Sequence, residues 1–254
     1  MLGEIGTLAW TRRTNGLLSR PERVRYVAAA VREQARAAAP LLAFRLGRGA
    51  RRQATIDEDA LRIPDSSIAR DAVDACTAAQ PRMIIEHNYR SFIFARALAS
   101  LAGVAHDEEL LFVATMFHDA GVMQVDRSAG GRCFTLAGAA AAESHGAQAG
   151  WPAQRCAKAA EAITLHLNPA VPVEQGTEAH LMHDGVLLDA VGLRAWQIRA
   201  EAIERVRARH PRLRFSQDGG RLLAEQAKGI PACRTAAALG AGFGLALRLG
   251  PWQD

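Results

Sequence analysis

The chain has 254 residues, 49% hydrophobic and 22% charged, with a formal charge of +5. That balance fits one soluble globular domain with appendages better than two full domains. No uncharged run reaches about 18 residues, which excludes a membrane-spanning helix; the nearest candidate, Thr235 to Leu247, is too short and glycine-rich.

Residues 1–19 are polar and glycine-containing and read as an irregular arm. Ser19-Arg20-Pro21-Glu22 is a helix start, with Ser at the N-cap, Pro just inside and Glu at N3. The helix runs towards Ala39, where Pro40 is expected to end or kink it. Residues 45–55 are basic and loop-like, a boundary between a 1–55 N-terminal helical arm and a 56–254 main domain with a helical tail. Ile63-Pro64-Asp65-Ser66-Ser67 opens a helix through Ile68, Ala72, Ala75 and Cys76, broken by Pro81. A long helix spans about 84–103, with Phe94, Ala95, Leu98 and Ala99 buried. Asp107-Glu108-Glu109 primes the next, which ends at His118. Residues 122–135 are irregular, 137–149 an alanine-dense helix, and Trp151-Pro152 starts a helix running to His166. Residues 178–208 are mostly helical with a break near Gly192, and helices at 220–228 and in the apolar 235–249 segment follow. No clean alternation marks a strand, so the fold class is all-α, with about eight to ten helices around one core.

Arginines cluster early, at Arg12, Arg13, Arg20, Arg23, Arg25, Arg32, Arg36, Arg45, Arg48, Arg51 and Arg52. Without interleaved aromatics or a nucleic-acid-binding motif, a solvated helix face explains them better than a nucleic-acid footprint. Cys76, Cys133, Cys156 and Cys233 form no CxxC pair or disulfide-like spacing, which suggests a reducing compartment. Glu4, Arg12 and Arg13 interrupt the first apolar stretch before it can act as a signal peptide, so a cytoplasmic location is expected.

The chemistry centres on Leu111–Gly121. An apolar run there ends in His118-Asp119 and then a glycine. Residues 111, 114, 115 and 118 share one helical stripe, so His118 points inward. A buried imidazole and carboxylate side by side need partners, and a divalent cation is an economical one. The plainer reading is a hydrogen-bonded core His and an N-cap Asp. Other helices offer matching groups. His87 shares a stripe with Ser91, Phe94, Ala95 and Leu98; Asp189 shares one with Met182, Gly185, Val186 and Leu193. Gly185 leaves room for a close helix. His87, His118, Asp119 and Asp189 together offer two nitrogens and two oxygens, a set suited to zinc ahead of iron, manganese, cobalt or nickel. His180 and His183 face away from the Asp189 stripe and read as surface residues; His145 and Glu143 read as solvated, and His106 and His210 as loop residues. Arg90 suits a salt bridge better than an anion site, and Thr115 is placed to help line a pocket.

The order His87 … His118-Asp119 … Asp189 resembles the HD-domain superfamily of metal-dependent hydrolases. The words His87-Asn88-Tyr89-Arg90-Ser91-Phe92, Phe117-His118-Asp119-Ala120-Gly121, Glu161-Ala162-Ile163-Thr164-Leu165-His166 and Leu188-Asp189-Ala190-Val191-Gly192 are similar to its cyanamide-hydratase-like branch, as are Leu61-Arg62-Ile63-Pro64-Asp65 and the Pro-Trp ending. The likeness covers residues 60–252. It implies an all-α HD-domain helical bundle holding one divalent metal ion through His87, His118, Asp119 and Asp189. Relatives tend to carry acidic residues in the segment here reading Phe134-Thr135-Leu136-Ala137-Gly138-Ala139, where this chain has Thr135 and Ala137.

The leading expectation is a hydratase or hydrolase acting on a small cyanamide- or nitrile-like molecule through a metal-activated water. His166 is the candidate acid/base, with Asp119 beside it in catalysis as well as on the metal. The other reading of His166 is a helix-terminal His satisfying carbonyls. The second expectation is a phosphohydrolase on a nucleotide or phosphoester. The cations of the core segment (Arg90, Arg96, Arg127, Arg132, Arg155 and Lys158) form no cluster in sequence that would favour it. A third is a non-catalytic metal- or nucleic-acid-binding module. The partner expected is a small-molecule substrate, with no membrane and no nucleic acid; a homo-oligomer stays open.

Overall fold

The structure, a computed structural model, describes residues 2–126, 128 and 130–252; Arg127 lies outside the described residues. It is all-helical, with twelve α-helices among them. No strand forms among the described residues, only two isolated bridges, Leu17–Cys233 and Ala54–Ile198.

Residues 2–19 are more ordered than their composition suggests. α1 (Leu8–Thr14) is capped by Thr7, whose hydroxyl accepts from Trp10 N. Ile5 and Trp10 are buried. The greasy side chains are few but large, and they pack against Tyr26 and Ala237. α2 (Arg20–Arg45) starts with the expected capping box between Ser19 and Glu22. It does not stop at Pro40. A proline inside a helix costs one hydrogen bond and some crowding, but the turn beyond it is anchored: Phe44 packs edge-on against Trp252 with ring centroids 6.4 Å apart. All eleven early arginines are exposed, as a solvated face requires.

Six helices carry the core. α3 (Ser67–Ala79) is capped by Ser66, and α4 (Arg82–Ala102) begins at Pro81 and ends at Gly103 in the left-handed region. α5 (Glu108–Phe117) is capped by Asp107, which also holds Arg155 at 2.7 Å. α6 (Thr135–Gln148) and α7 (Ala153–Leu165) pair with each other, and α8 (Thr177–Val191) ends at Gly192. α4 and α8 make the most extensive pairing. Gly185 permits it: a Cβ there would lie 2.2 Å from Ser91 O. α9 (Ala200–Arg209), α10 (Phe215–Gly229), α11 (Arg234–Gly240) and α12 (Phe243–Arg248) complete the chain.

α8 is buried nearly all round, which changes the place of two histidines. His183 is not on the surface: it is 2% exposed, between Asn168 O at 2.9 Å and Asp184 Oδ1 at 3.0 Å. His180 is half-buried against Val171 O. Facing away from Asp189 means facing a second packed surface, not water. His145 is half-buried as well, at Ile68 O, while Glu143 pairs with exposed Arg12. All four cysteines are free and buried; burial pushes the Cys76 thiol up to about 12, which leaves it unreactive.

No described helix is long and apolar enough to cross a membrane.

Candidate metal centre

Two of the histidines sit at the same kind of place. His118 follows the last turn of α5 and His166 the last turn of α7. The final carbonyls of a helix lack intrahelical donors. Each imidazole supplies one: His118 Nδ1 donates to Thr115 O at 2.7 Å, and His166 Nδ1 to Ile163 O at 2.6 Å. The hydrogen bond fixes the tautomer, so each Nε2 presents a lone pair. For His166 this joins the two sequence readings, since the ring satisfies a helix end with one nitrogen and faces the site with the other. Thr115 thus contributes its carbonyl. Its hydroxyl donates to Leu111 O at 2.7 Å within the core, and it does not line the cavity.

His87 comes from the second turn of α4 and is oriented by a different device. Its Nδ1 donates to Asp189 Oδ2 at 2.6 Å, which leaves its Nε2 free as well. Phe215 stacks on the ring, centroids 4.2 Å apart.

The three Nε2 atoms gather around Asp119. His118 Nε2 is 3.4 Å from Asp119 Oδ2, His87 Nε2 4.0 Å from the same oxygen, and His166 Nε2 3.9 Å from Asp119 Oδ1. His87, His118 and Asp119 form a group able to hold a metal ion, each offering an atom within 4.8 Å of the others'. Two ligands of one ion at about 2.0–2.2 Å stand no more than about 4.4 Å apart; the distances from Asp119 to His118 and to His87, 3.4 and 4.0 Å, satisfy this. His118 Nε2 is buried with no hydrogen-bond partner among the described residues. A buried polar atom left so is costly, and a cation is the partner that a lone pair facing a carboxylate fits. Nitrogen and oxygen donors suit a borderline first-row divalent ion.

Asp189 stands elsewhere than expected. It lies behind His87, away from the group of three. Arg90 Nε donates to its Oδ1 at 2.6 Å and Arg90 NH2 to its Oδ2 at 2.9 Å, while Arg212 reaches Oδ1 at 3.3 Å. With His87 on Oδ2, both oxygens are committed. The inward stripe of α8 does bury Asp189, as its phase predicts, but two arginines serve as the counter-charge. Burial alone would raise its pKa; Arg90, Arg212 and His87 outweigh that and hold it far below the usual carboxylate range. These partners favour the carboxylate form of Asp189, which orients His87 and would raise its basicity towards a metal. Arg90 is the salt-bridge residue expected, and it also donates to Pro211 O at 2.9 Å.

Burial lowers the His87 pKa, with Asp189 opposing it only in part. Burial, and then the neighbouring His118, push His166 well below its ordinary value. Arg234 adds to this. It is fully buried, donating to Thr164 O at 2.7 Å and Asn168 Oδ1 at 3.1 Å, and no carboxylate among the described residues pairs with it. Both imidazoles are thus neutral near pH 7, the state that a metal ligand or a general base needs.

Arg212, Arg234 and Phe215 have no signal in the sequence. Each follows an irregular turn, so no helical phase predicts its direction.

The group closes the deep end of a cavity of about 430 Å³. His87, Asp119 and His166 line it with Phe134, Val186, Ala190, Phe215, Leu222, Leu239, Phe243 and Leu247. α2 forms the facing wall, from buried Tyr26, whose hydroxyl donates to Leu167 O, out to Leu41 and Leu42.

Compared with known proteins, the chain matches no family model and no curated protein.

Proposed function

We propose that the protein is a metal-dependent hydratase or hydrolase of the HD type, adding water to a small nitrile- or cyanamide-like molecule in this cavity. One observation carries the reading: a buried Nε2 on His118, unpartnered among the described residues, faces Asp119 at the deep end of a largely apolar cavity. His87, His118 and Asp119 would hold the ion, zinc by preference of the donor set. When bound, such an ion lowers the pKa of water and polarises an electrophile. His166 Nε2 stands beside Asp119 and, being neutral, takes a proton from water and returns it. On a nitrile, the oxygen of water bonds to carbon, both C–N π bonds are lost as a C=O bond forms, and both protons end on nitrogen, leaving an amide. Phe215 and Phe134 keep bulk water from the reacting atoms.

Phosphoester hydrolysis is the weaker reading. Phosphate needs cations facing it, and Arg90 and Arg212 spend their guanidiniums on Asp189. Apart from the histidines, Arg45 is the cation that lines the cavity.

The test is metal analysis of protein purified without added metal, followed by assay against cyanamide, small nitriles and a generic phosphodiester. Bound metal with nitrile or cyanamide turnover supports the proposal. Absence of metal, or turnover of the phosphodiester alone, overturns it. His166→Ala should keep the metal and lose rate; unimpaired turnover would remove that residue from the reaction.

A further inference from the structure

We infer that the substrate carries an aliphatic or aryl-aliphatic tail of roughly eight to ten carbons behind its reacting head, and that the terminal helices exist in part to hold that tail. This deepens the proposed function and rests on it for the identity of the head group alone.

Cyanamide and acetonitrile have three heavy atoms. The cavity, at about 430 Å³, has room for roughly a dozen groups the size of a water molecule or a methylene. It lies within the range of about 300–1,000 Å³ that takes drug-sized ligands. A three-atom substrate would occupy its deep end and leave the rest to water against an apolar wall.

The wall is specific in chemistry. Beyond His87, Asp119 and His166, it is aliphatic and aromatic on three sides: Leu41 on α2, Leu187 on α8, Leu222 on α10 and Phe243 on α12. Charge enters the lining again at Glu33 and Arg45. Glu33 is engaged by Arg36 at 2.8 Å and Arg32 at 3.3 Å, and Arg45 is exposed at the outer end of α2. The uncharged polar groups of the lining are Tyr26, Gln34, Asn168 and Thr235; the first three are engaged by Leu167 O, Ala241 O and Ile5 O, and no further charged side chain lines the cavity to recognise a phosphate or a carboxylate. The apolar lining continues to the surface at Leu42 and Leu249, which are 60% and 56% exposed. Both continue the cavity lining outward, where a ligand tail would cover them. A neutral chain entering head first fits the apolar lining, from Leu222 and Leu187 out to Leu42 and Leu249.

Two measurements test this. With metal-loaded protein, kcat/KM for straight-chain nitriles from acetonitrile to decanenitrile should rise about fourfold per added methylene, mostly through KM, and level off near eight to ten carbons. Ala37→Trp, which fills the outer half from α2, should bring the plateau forward by several carbons at unchanged metal content. Calorimetric titration with primary amides from acetamide to octanamide, on wild type and on His118→Ala, separates this inference from the reading of the metal. Affinity rising about fourfold per methylene in both, with a negative heat-capacity change, supports the tail site even if no nitrile is turned over. Affinity independent of chain length in the wild type, or a plateau that Ala37→Trp does not move, overturns it.

Discussion

The deep end of the cavity and its outer wall come from different parts of the chain and are held by different forces. The deep end belongs to α4, α5 and α8, helices buried on nearly every side, and to the buried C-terminal half of α7. Each donor there is fixed by a second bond: Thr115 O for His118, Ile163 O for His166, Asp189 for His87. The outer wall belongs to α2 and α10–α12, which show one face to solvent. It is tied on by links such as Gln34 to Ala241 O at 2.9 Å, Arg23 to Pro231 O at 2.7 Å and Arg234 to Thr164 O at 2.7 Å. Rigid placement suits reacting atoms, where a small misplacement costs rate. Apolar shape suits recognition of a tail, where area matters more than angle. Substitutions at the deep end should therefore change metal content and kcat, and those in the wall KM.

The largest effect expected is from His118→Ala. It removes a buried nitrogen that has no hydrogen-bond partner among the described residues, and metal should fall from about one ion per chain to background, with turnover falling by orders of magnitude. Elemental analysis of the folded variant checks it. Retained stoichiometric metal would show that the three-residue group does not hold the ion.

Asp189 sharpens the same comparison, because it supports the deep end without belonging to the group. Asp189→Ala strands Arg90 and Arg212 in the core and should cost about 3–5 kcal/mol of stability, read by denaturant unfolding. Asp189→Asn keeps the volume and a hydrogen bond to His87. It should weaken metal affinity by about 10–100-fold without abolishing it. Complete loss of metal in a folded Asp189→Asn protein would return Asp189 to the ligands.

How far the sequence disclosed this follows from the same division. Helical phase is a strong signal where a helix is anchored at one end and its buried stripe is long, and it turned His87, His118 and Asp189 inward. Phase says which way a side chain points, not what it meets. Asp189 meets arginines because Arg212 arrives from an irregular turn after α9. His183 is buried because α8 has no solvent side. The wall was illegible for a related reason. Residues 1–55 read as an arm by their arginines, yet Tyr26, Ala30 and Leu41, on the opposite face of the same helix, line the cavity. Small alanines give a weak apolar signal, and Pro40 suggests an end that the packing of Phe44 on Trp252 overrides. It follows that deleting residues 1–55 would damage the cavity along with any other role of the arm.

Gly185→Ala tests the frame on which the deep end rests. The new Cβ would meet Ser91 O at 2.2 Å and Ala95 Cβ at 2.9 Å. α8 must move off α4, at a cost of about 1–3 kcal/mol, and Asp189 moves with it. Metal affinity should fall alongside stability. A stable variant with unchanged affinity would show that the α4–α8 spacing does not set the site.

The smallest effect is a slope in pH that belongs to the deep end alone. His166 and His87 have folded-state pKa values below the ordinary imidazole value of about 6.5. The unfolded chain therefore takes up protons, as pH falls through about 6.5, that the folded chain refuses. Stability is complete above that pH and is lost below it, by up to about 1.4 kcal/mol per pH unit for each group. Asp189 acts in another window: its lowered pKa contributes stability that persists until pH falls below about 3.9. His210, lowered by burial with Glu86 opposing, adds to the slope near pH 6 from outside the site. The informative quantity is thus a difference. Urea unfolding of metal-stripped wild type and His166→Gln between pH 7.5 and 5.5 should give a shallower slope in the variant by up to about 1.4 kcal/mol per unit. Equal slopes would mean that His166 takes its proton in the folded state, and it could then neither face a cation nor act as a base near neutral pH.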